Sequence, residues 1–175
     1  MSHPLHEKIA DLIEKALKDF PDLKIIKDPA CCSEKQNKQH IPLFRSDKKT
    51  RETRYCCVDL LILQGDKVRI IVEIEESNIK PTQVLGKFLT AALSNYYIHE
   101  KDGDPKEMAD SVAFIQVLDS SKLKYGSVKL EQFRNLEKSI QQIIPLKDSR
   151  INCYKLFTGN SFDDMIDFIK TEVTS

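Results

Sequence analysis

Residues 55–75 read YCCVDLLILQGDKVRIIVEIE. Two apolar runs, Tyr55 to Leu63 and Lys67 to Glu75, flank the turn residues Gln64-Gly65-Asp66, which is the pattern of a β-hairpin. Asp59 stands inside an otherwise apolar strand, where an ionised carboxylate costs several kcal/mol (roughly) unless it is paired, hydrogen-bonded or bound to a cation. The second strand ends in Glu73-Ile74-Glu75, and residues two apart share a strand face, so these two carboxylates project together. Whether Asp59 joins them depends on the turn. A two-residue Gly65-Asp66 loop pairs Asp59 with Val72 and turns it away, whereas a three-residue Gln64-Gly65-Asp66 loop pairs it with Ile71 on the glutamate face. Three carboxylates on one spot repel each other and favour a divalent cation, and oxygen ligands favour Mg²⁺ or Mn²⁺ over zinc. The competing reading is structural, with strand-end glutamates solvated or paired to Arg69, which shares the face of Glu73 by period two.

Outward from the hairpin, the chain alternates helices and strands. Apolar residues at Leu5, Ile9, Leu12, Ile13, Ala16 and Leu17 mark a helix over Pro4–Phe20. Leu23–Ile26 is a short strand, and Asp28–Arg54 is a polar stretch read as a functional loop or an irregular hairpin. After the hairpin come a helix from Pro81 to about Tyr97, a polar loop over Lys101–Lys106 and a buried strand over Ser111–Leu118. A helix over Val128–Ile144, a strand over Ile151–Phe157 and a helix over Phe162–Val173 follow, the last capped by Ser161 or Asn160. Antiparallel pairing early and helical crossovers later predict an α/β domain, a mixed sheet with helices on both faces. The 175 residues suit a single domain, 1–175, and the 41% hydrophobic and 31% charged content is that of a globular chain. Lysine plus arginine equals aspartate plus glutamate, so overall charge does not advertise a polyanion partner. No apolar run reaches the roughly 18 residues of a membrane span. The five cysteines, four of them in adjacent pairs, argue against a disulfide framework and for a cytoplasmic setting.

An Asp in one hairpin strand, a Glu two residues before the end of the next and a helix after it resemble the P-D…(D/E)-x-K nuclease superfamily. That group includes type II restriction enzymes, junction resolvases and RecB-like exonucleases. The resemblance rests on Val58-Asp59, thirteen intervening residues, Glu73-Ile74-Glu75 and the element order over residues 4–118. It implies a restriction-endonuclease-like fold and a Mg²⁺- or Mn²⁺-dependent nuclease, an endonuclease acting on duplex DNA as a homodimer if of type II character. In this likeness Asp59 and Glu73 bind metal, with Glu7 of the first helix completing the site and Glu14 the second choice. Val58 replaces the motif proline, and Glu75 replaces the motif lysine, as in a minority of restriction enzymes. Glu75 is then expected to position or deprotonate water, and Lys80 to stand in for the missing lysine. Gln83 resembles the glutamine of RecB-like members, but Lys87 occupies the place of their tyrosine. The alternative function is a catalytically inactive nuclease-fold domain that binds nucleic acid or a protein partner.

Phe44 to Arg54 adds five basic residues and several hydroxyls just before the Asp59 strand. Arg45, Ser46, Lys48, Lys49, Arg51 and Arg54 are the expected nucleic-acid contacts, since cations neutralise phosphates and hydroxyls donate to them. His40 and the cysteines invite a zinc-stabilised interaction module, but adjacent cysteine pairs fit zinc spacing poorly. Cys56 and Cys57 read as small core residues. His6, in the first helical turn, is expected at the surface, and Asn95-Tyr96-Tyr97 is expected to pack.

Overall fold

The computed structural model describes residues 3–32, 39–77, 79–101, 103–119, 121, 128–158 and 161–175. Its elements are α1 (Pro4–Leu17), β1 (Leu23–Lys27), a 3-10 turn (Pro29–Cys31), β2 (Ile41–Phe44), β3 (Arg54–Val58), β4 (Leu60–Gln64) and β5 (Lys67–Glu75). They continue with α2 (Pro81–Ala92), β6 (Tyr96–Ile98), β7 (Pro105–Leu118), α3 (Val128–Ile143), β8 (Ile151–Thr158) and α4 (Phe162–Thr174). Asn160, one of the two candidate caps, lies outside the described residues; Ser161 holds the N-cap position of α4, and its hydroxyl bonds back to the Thr158 carbonyl.

Eight strands form one mixed sheet in the order β1-β4-β5-β7-β6-β2-β3, with β8 also on β7. The β1, β4 and β5 strands are antiparallel neighbours, and β5, β7 and β8 are parallel, joined by crossovers through α2 and α3. Alternation along the strands divides the core. Leu60, Ile62, Val72, Ile74 and Ile115 pack under α1 and α4, through Ile9, Ile13, Met165 and Ile169. On the opposite face Leu61, Ile71, Phe114 and Tyr154 pack under α2 and α3, through Phe88, Ala91 and Ile140. Phe88, Phe114 and Tyr154 meet ring to ring, with centroids 5.3–6.0 Å apart. No helix among the described residues is long and apolar enough to cross a membrane.

The polar stretch 28–54 contains the irregular hairpin, β2 against β3. Two boundaries differ from the sequence reading. The second helix stops at Ala92, because the Asn95 amide bonds to the Phe44 carbonyl and Tyr96–Ile98 pairs with β2 and β7. The run Tyr55–Leu63 is not one strand. It bends at Asp59, so that β3 joins β2 while β4 joins β1 and β5.

Candidate functional site

The hairpin takes neither of the two simple registers. Gln64 pairs with Lys67, so the loop is the two-residue Gly65-Asp66, with Gly65 in the left-handed region at φ 58°. Glycine reaches that conformation without the Cβ clash that other residues meet. One step along, the register shifts between Ile62 and Leu63, leaving Arg69 as an extra residue on β5. Beyond this bulge Leu60 pairs with Val72, so continuing the ladder puts Asp59 opposite Glu73. The bulge inverts the alternation: Val68 and Ile71, three apart, both face the α2 layer. Asp59 therefore meets the glutamates through a bulge and not through a longer loop. Arg69 leaves that face. Its guanidinium donates to the Glu172 carbonyl (2.7 and 3.0 Å) and to the Ser111 carbonyl, holding the bulge against α4 and β7.

Asp59, Glu73 and Glu75 come together at the end of the hairpin. Glu73 is 1% exposed and Glu75 3%. Asp59 Oδ2 accepts the Ile74 amide at 2.8 Å. From α2, Lys87 Nζ reaches Glu73 Oε2 at 2.9 Å and Glu75 Oε1 at 2.8 Å. Glu75 Oε1 is thus buried against that ammonium, its charge partner. One turn earlier on the same helical face, Gln83 Nε2 donates to Glu75 Oε2 at 3.1 Å.

From α1 the contribution is His6. Its Nε2 lies 3.6 Å from Asp59 Oδ2 and its Nδ1 3.0 Å from Glu76 Oε1. Glu76 Oε1 also accepts the backbone amides of Leu5 (2.6 Å) and His6 (3.0 Å), so this carboxylate caps α1 and fixes the imidazole together. His3 Nδ1 stands 3.7 Å from Glu76 Oε2, making His3, His6 and Glu76 a compact group of donor atoms. Because Glu76 Oε1 already accepts three N–H groups in that network, its evident task is to aim Nε2 of His6 at Asp59.

The electrostatics follow from this packing. Burial works to raise the Asp59 carboxyl, but hydrogen bonds from His6 and Glu73 and the charge of Lys87 hold it below its usual range. Glu73 goes the other way: burial, then the negative charge of Asp59, push it well up. The two titrate as a coupled pair, the charge on Asp59 opposing that on Glu73. Burial also raises Glu75, outweighing Lys87. Burial opposes the charge on Lys87, yet Glu73, Asp59 and Glu75 hold its pKa above the usual value. Burial opposes protonation of His6 too, but Asp59 and Glu76 raise it.

Several expected residues lie elsewhere. Lys80 is the exposed N-cap residue of α2, and Lys87 supplies the ammonium instead. Glu7 projects beside Pro4, Lys8, Asp11 and Leu12 on the outer flank of α1, while His6, one residue earlier, faces the carboxylates. Glu14, the second choice, pairs with Lys27 at 2.9 Å. His6 is buried, not exposed, and the sequence carried the signal: His6, Ile9, Ala10, Ile13 and Leu17 fall on one helical face. The basic segment sits at the far end of β3, about 16 Å along five strand residues from Asp59. Its hydroxyls are largely used internally: the Ser46 hydroxyl accepts the Lys48 amide, and Thr50 and Thr53 bond each other and nearby backbone. Lys49 Nζ bonds the Glu100 carbonyl at 2.6 Å, while the side chains of Arg45, Lys48, Arg51 and Arg54 are exposed. Arg45 and Ser46 line an open cleft of about 680 Å³ with Asn95, Tyr96, Glu107 and Arg150. All five cysteines are free thiols; burial raises Cys31, and raises Cys56 to about 12.

No protein-family model, no curated protein and no solved structure matches the chain.

Proposed function

We propose that this chain is a restriction-endonuclease-like, metal-dependent nuclease, with duplex DNA as its first candidate substrate. The observation that carries the reading is the meeting of Asp59, Glu73 and Glu75 from one hairpin with Lys87 and His6 from two helices. The strands β1-β4-β5-β7, with β8 on β7, run antiparallel then parallel, a mixed sheet with helices on both faces that accords with the same reading.

Among the described residues the three donor atoms that lie within 4.8 Å of one another are those of His3, His6 and Glu76, so Asp59, Glu73 and Glu75 would have to close up to share a divalent cation. Asp59 and Glu73 are electrostatically coupled, and Glu75 shares the strand face of Glu73. Asp59 and Glu73 would hold Mg²⁺ or Mn²⁺ through carboxylate oxygens. Such an ion, when bound, lowers the pKa of a water and neutralises charge on a phosphate. The chain's own groups do the rest. Lys87, kept protonated by the charges of its carboxylate neighbours, would offer an ammonium to a phosphate oxygen, the task of the motif lysine. Glu75, raised by burial and steadied by Gln83, accepts a proton from water. His6 is held to Asp59 by Glu76. Arg45, Lys48, Arg51 and Arg54, all exposed, would bind backbone phosphates away from the reacting one.

One observation favours the second reading, a non-catalytic domain that binds nucleic acid or a protein: Lys87 already neutralises Glu73 and Glu75 internally. The experiment is cleavage of duplex DNA, single-stranded DNA and RNA in EDTA, Mg²⁺ and Mn²⁺, beside Asp59→Ala, Glu73→Ala and Lys87→Met. Metal-dependent cutting lost in all three variants supports the nuclease. No cutting of any substrate, with parent and variants binding metal equally, sinks it and leaves the binding domain.

A further inference from the structure

The start of α1 carries donor atoms that the carboxylate cluster leaves to one side. His3, at the N-cap, and His6, in the first turn, lie three residues apart, so their rings meet at the helix end, with centroids 5.2 Å apart. Glu76, just past β5, lays its carboxylate across both. Its Oε1 is 3.0 Å from His6 Nδ1 and its Oε2 is 3.7 Å from His3 Nδ1. One donor atom from each of the three residues falls within 4.8 Å of the other two. Bonds of about 2.1 Å put the ligand atoms of a tetrahedral zinc ion roughly 3.4 Å apart, a value that lies between the two nitrogen–oxygen spacings.

The fold itself holds these three residues in place. The Glu7 amide donates to the His3 carbonyl, and Pro4 stiffens the backbone next to it. The amides of Leu5 and His6 hold Glu76 through Oε1. Behind His6, Asp59 Oδ2 lies 3.6 Å from Nε2, and metal-bound imidazoles commonly have such an outer carboxylate. The side chains of His6 and Glu76 are 9% and 14% exposed and that of His3 is 43% exposed, so the group opens to solvent on the His3 side. We propose that His3, His6 and Glu76 bind a single zinc-class divalent ion, with water in its fourth position. Two imidazoles and one carboxylate are a donor set that zinc uses when it keeps a water, and imidazole favours zinc, copper or nickel over Mg²⁺. The ion takes the place of the proton between His6 Nδ1 and Glu76 Oε1, and the imidazole then carries its proton on Nε2, toward Asp59. Ring rotation of the half-exposed His3 closes the set. The ion ties the start of α1 to the end of β5. This inference goes beyond the nuclease reading and does not rest on it, because Asp59 and Glu73 offer oxygen alone whereas this site needs both imidazoles.

The test is titration of the chelator-stripped, reduced full chain with Zn²⁺ alone, followed by calorimetry and by imidazole ¹⁵N spectra. One ion per chain is expected, with the Nδ1 signals of His3 and His6 moving to metal-bound shifts while those of His40 and His99 stay. His3→Ala changes a half-exposed side chain outside the core. It is expected to weaken Zn²⁺ binding by more than the roughly 10- to 100-fold that loss of a supporting outer residue costs. Glu7→Gln, on the outer flank of the same turn, is expected to leave Zn²⁺ affinity unaltered, and equimolar Mg²⁺ is expected not to displace the ion. Unchanged Zn²⁺ affinity in His3→Ala overturns the site. So does displacement by equimolar Mg²⁺, or a Co²⁺ derivative whose near-ultraviolet thiolate band assigns the ion to the free cysteines. A chain that binds Zn²⁺ through His3 and His6 but cuts no nucleic acid overturns the nuclease reading and upholds this one.

Discussion

Replacing Lys87 by methionine removes the ammonium while keeping most of the apolar stem, so its effect isolates charge. In the parent, Lys87 lies 2.9 and 2.8 Å from two carboxylates that are almost wholly buried. Removing one partner of a buried ion pair costs about 3–5 kcal/mol. The Lys87 side chain is 31% exposed, which places the expected loss near the lower end, about 3 kcal/mol at pH 8. The loss must depend on pH. Glu73 and Glu75 already have raised pKa values, first through burial, and without Lys87 they rise further. A carboxyl raised in the folded state keeps its proton where the unfolded chain has lost it, so stability falls as pH climbs from about 4.5 through the folded pKa. Each pH unit over which one extra proton is retained costs about 1.4 kcal/mol. Urea unfolding at pH 5 and pH 8 is therefore expected to give a deficit of about 1 kcal/mol at the lower pH and about 3 at the higher. Adding Glu73→Gln should recover much of the pH 8 loss, because it discharges one of the stranded groups. Equal deficits at both pH values, or a deficit that shrinks as pH rises, would refute the reasoning.

Three other outcomes follow from the same packing. By NMR titration His6 should show a pKa above 6.5, lowered by Glu76→Gln; its contribution to stability is fully present below 6.5 and lost as pH rises through the folded value. Arg69→Ala removes charged hydrogen bonds to two backbone carbonyls and should cost about 2–4 kcal/mol, read by urea unfolding; a neutral result would show that the bulge needs no anchor. Phe88→Ala, which empties the stack against Phe114 and Tyr154, should cost about 3–5 kcal/mol and lower Tm by about 10 °C in a thermal melt.

Periodicity made much of this molecule legible from the chain alone. Helices at Pro4, Pro81, Val128 and Phe162 and strands at Lys67–Glu75 and Ile151–Thr158 follow from apolar spacing, because facing a core is a local property of each segment. The carboxylates at 59, 73 and 75 are legible as charges an apolar strand cannot hide, whereas His6, read from the sequence as a surface residue, betrays its burial only in the helical face it shares with Ile9 and Ile13. Tertiary structure alone decided the rest. The bulge at Arg69 settles the face of Asp59, and it depends on carbonyls of Ser111 and Glu172, forty and a hundred residues away in rough terms. Lys87 in place of Lys80 is a matter of where α2 lies over β5, and Glu76 became a cap only once α1 came to rest on it. Pairing of Gln116 with Glu73 required a crossover to bring β7 beside β5. Side-chain chemistry and spacing are written along the chain, whereas register and helix placement are set by the simultaneous burial of distant surfaces.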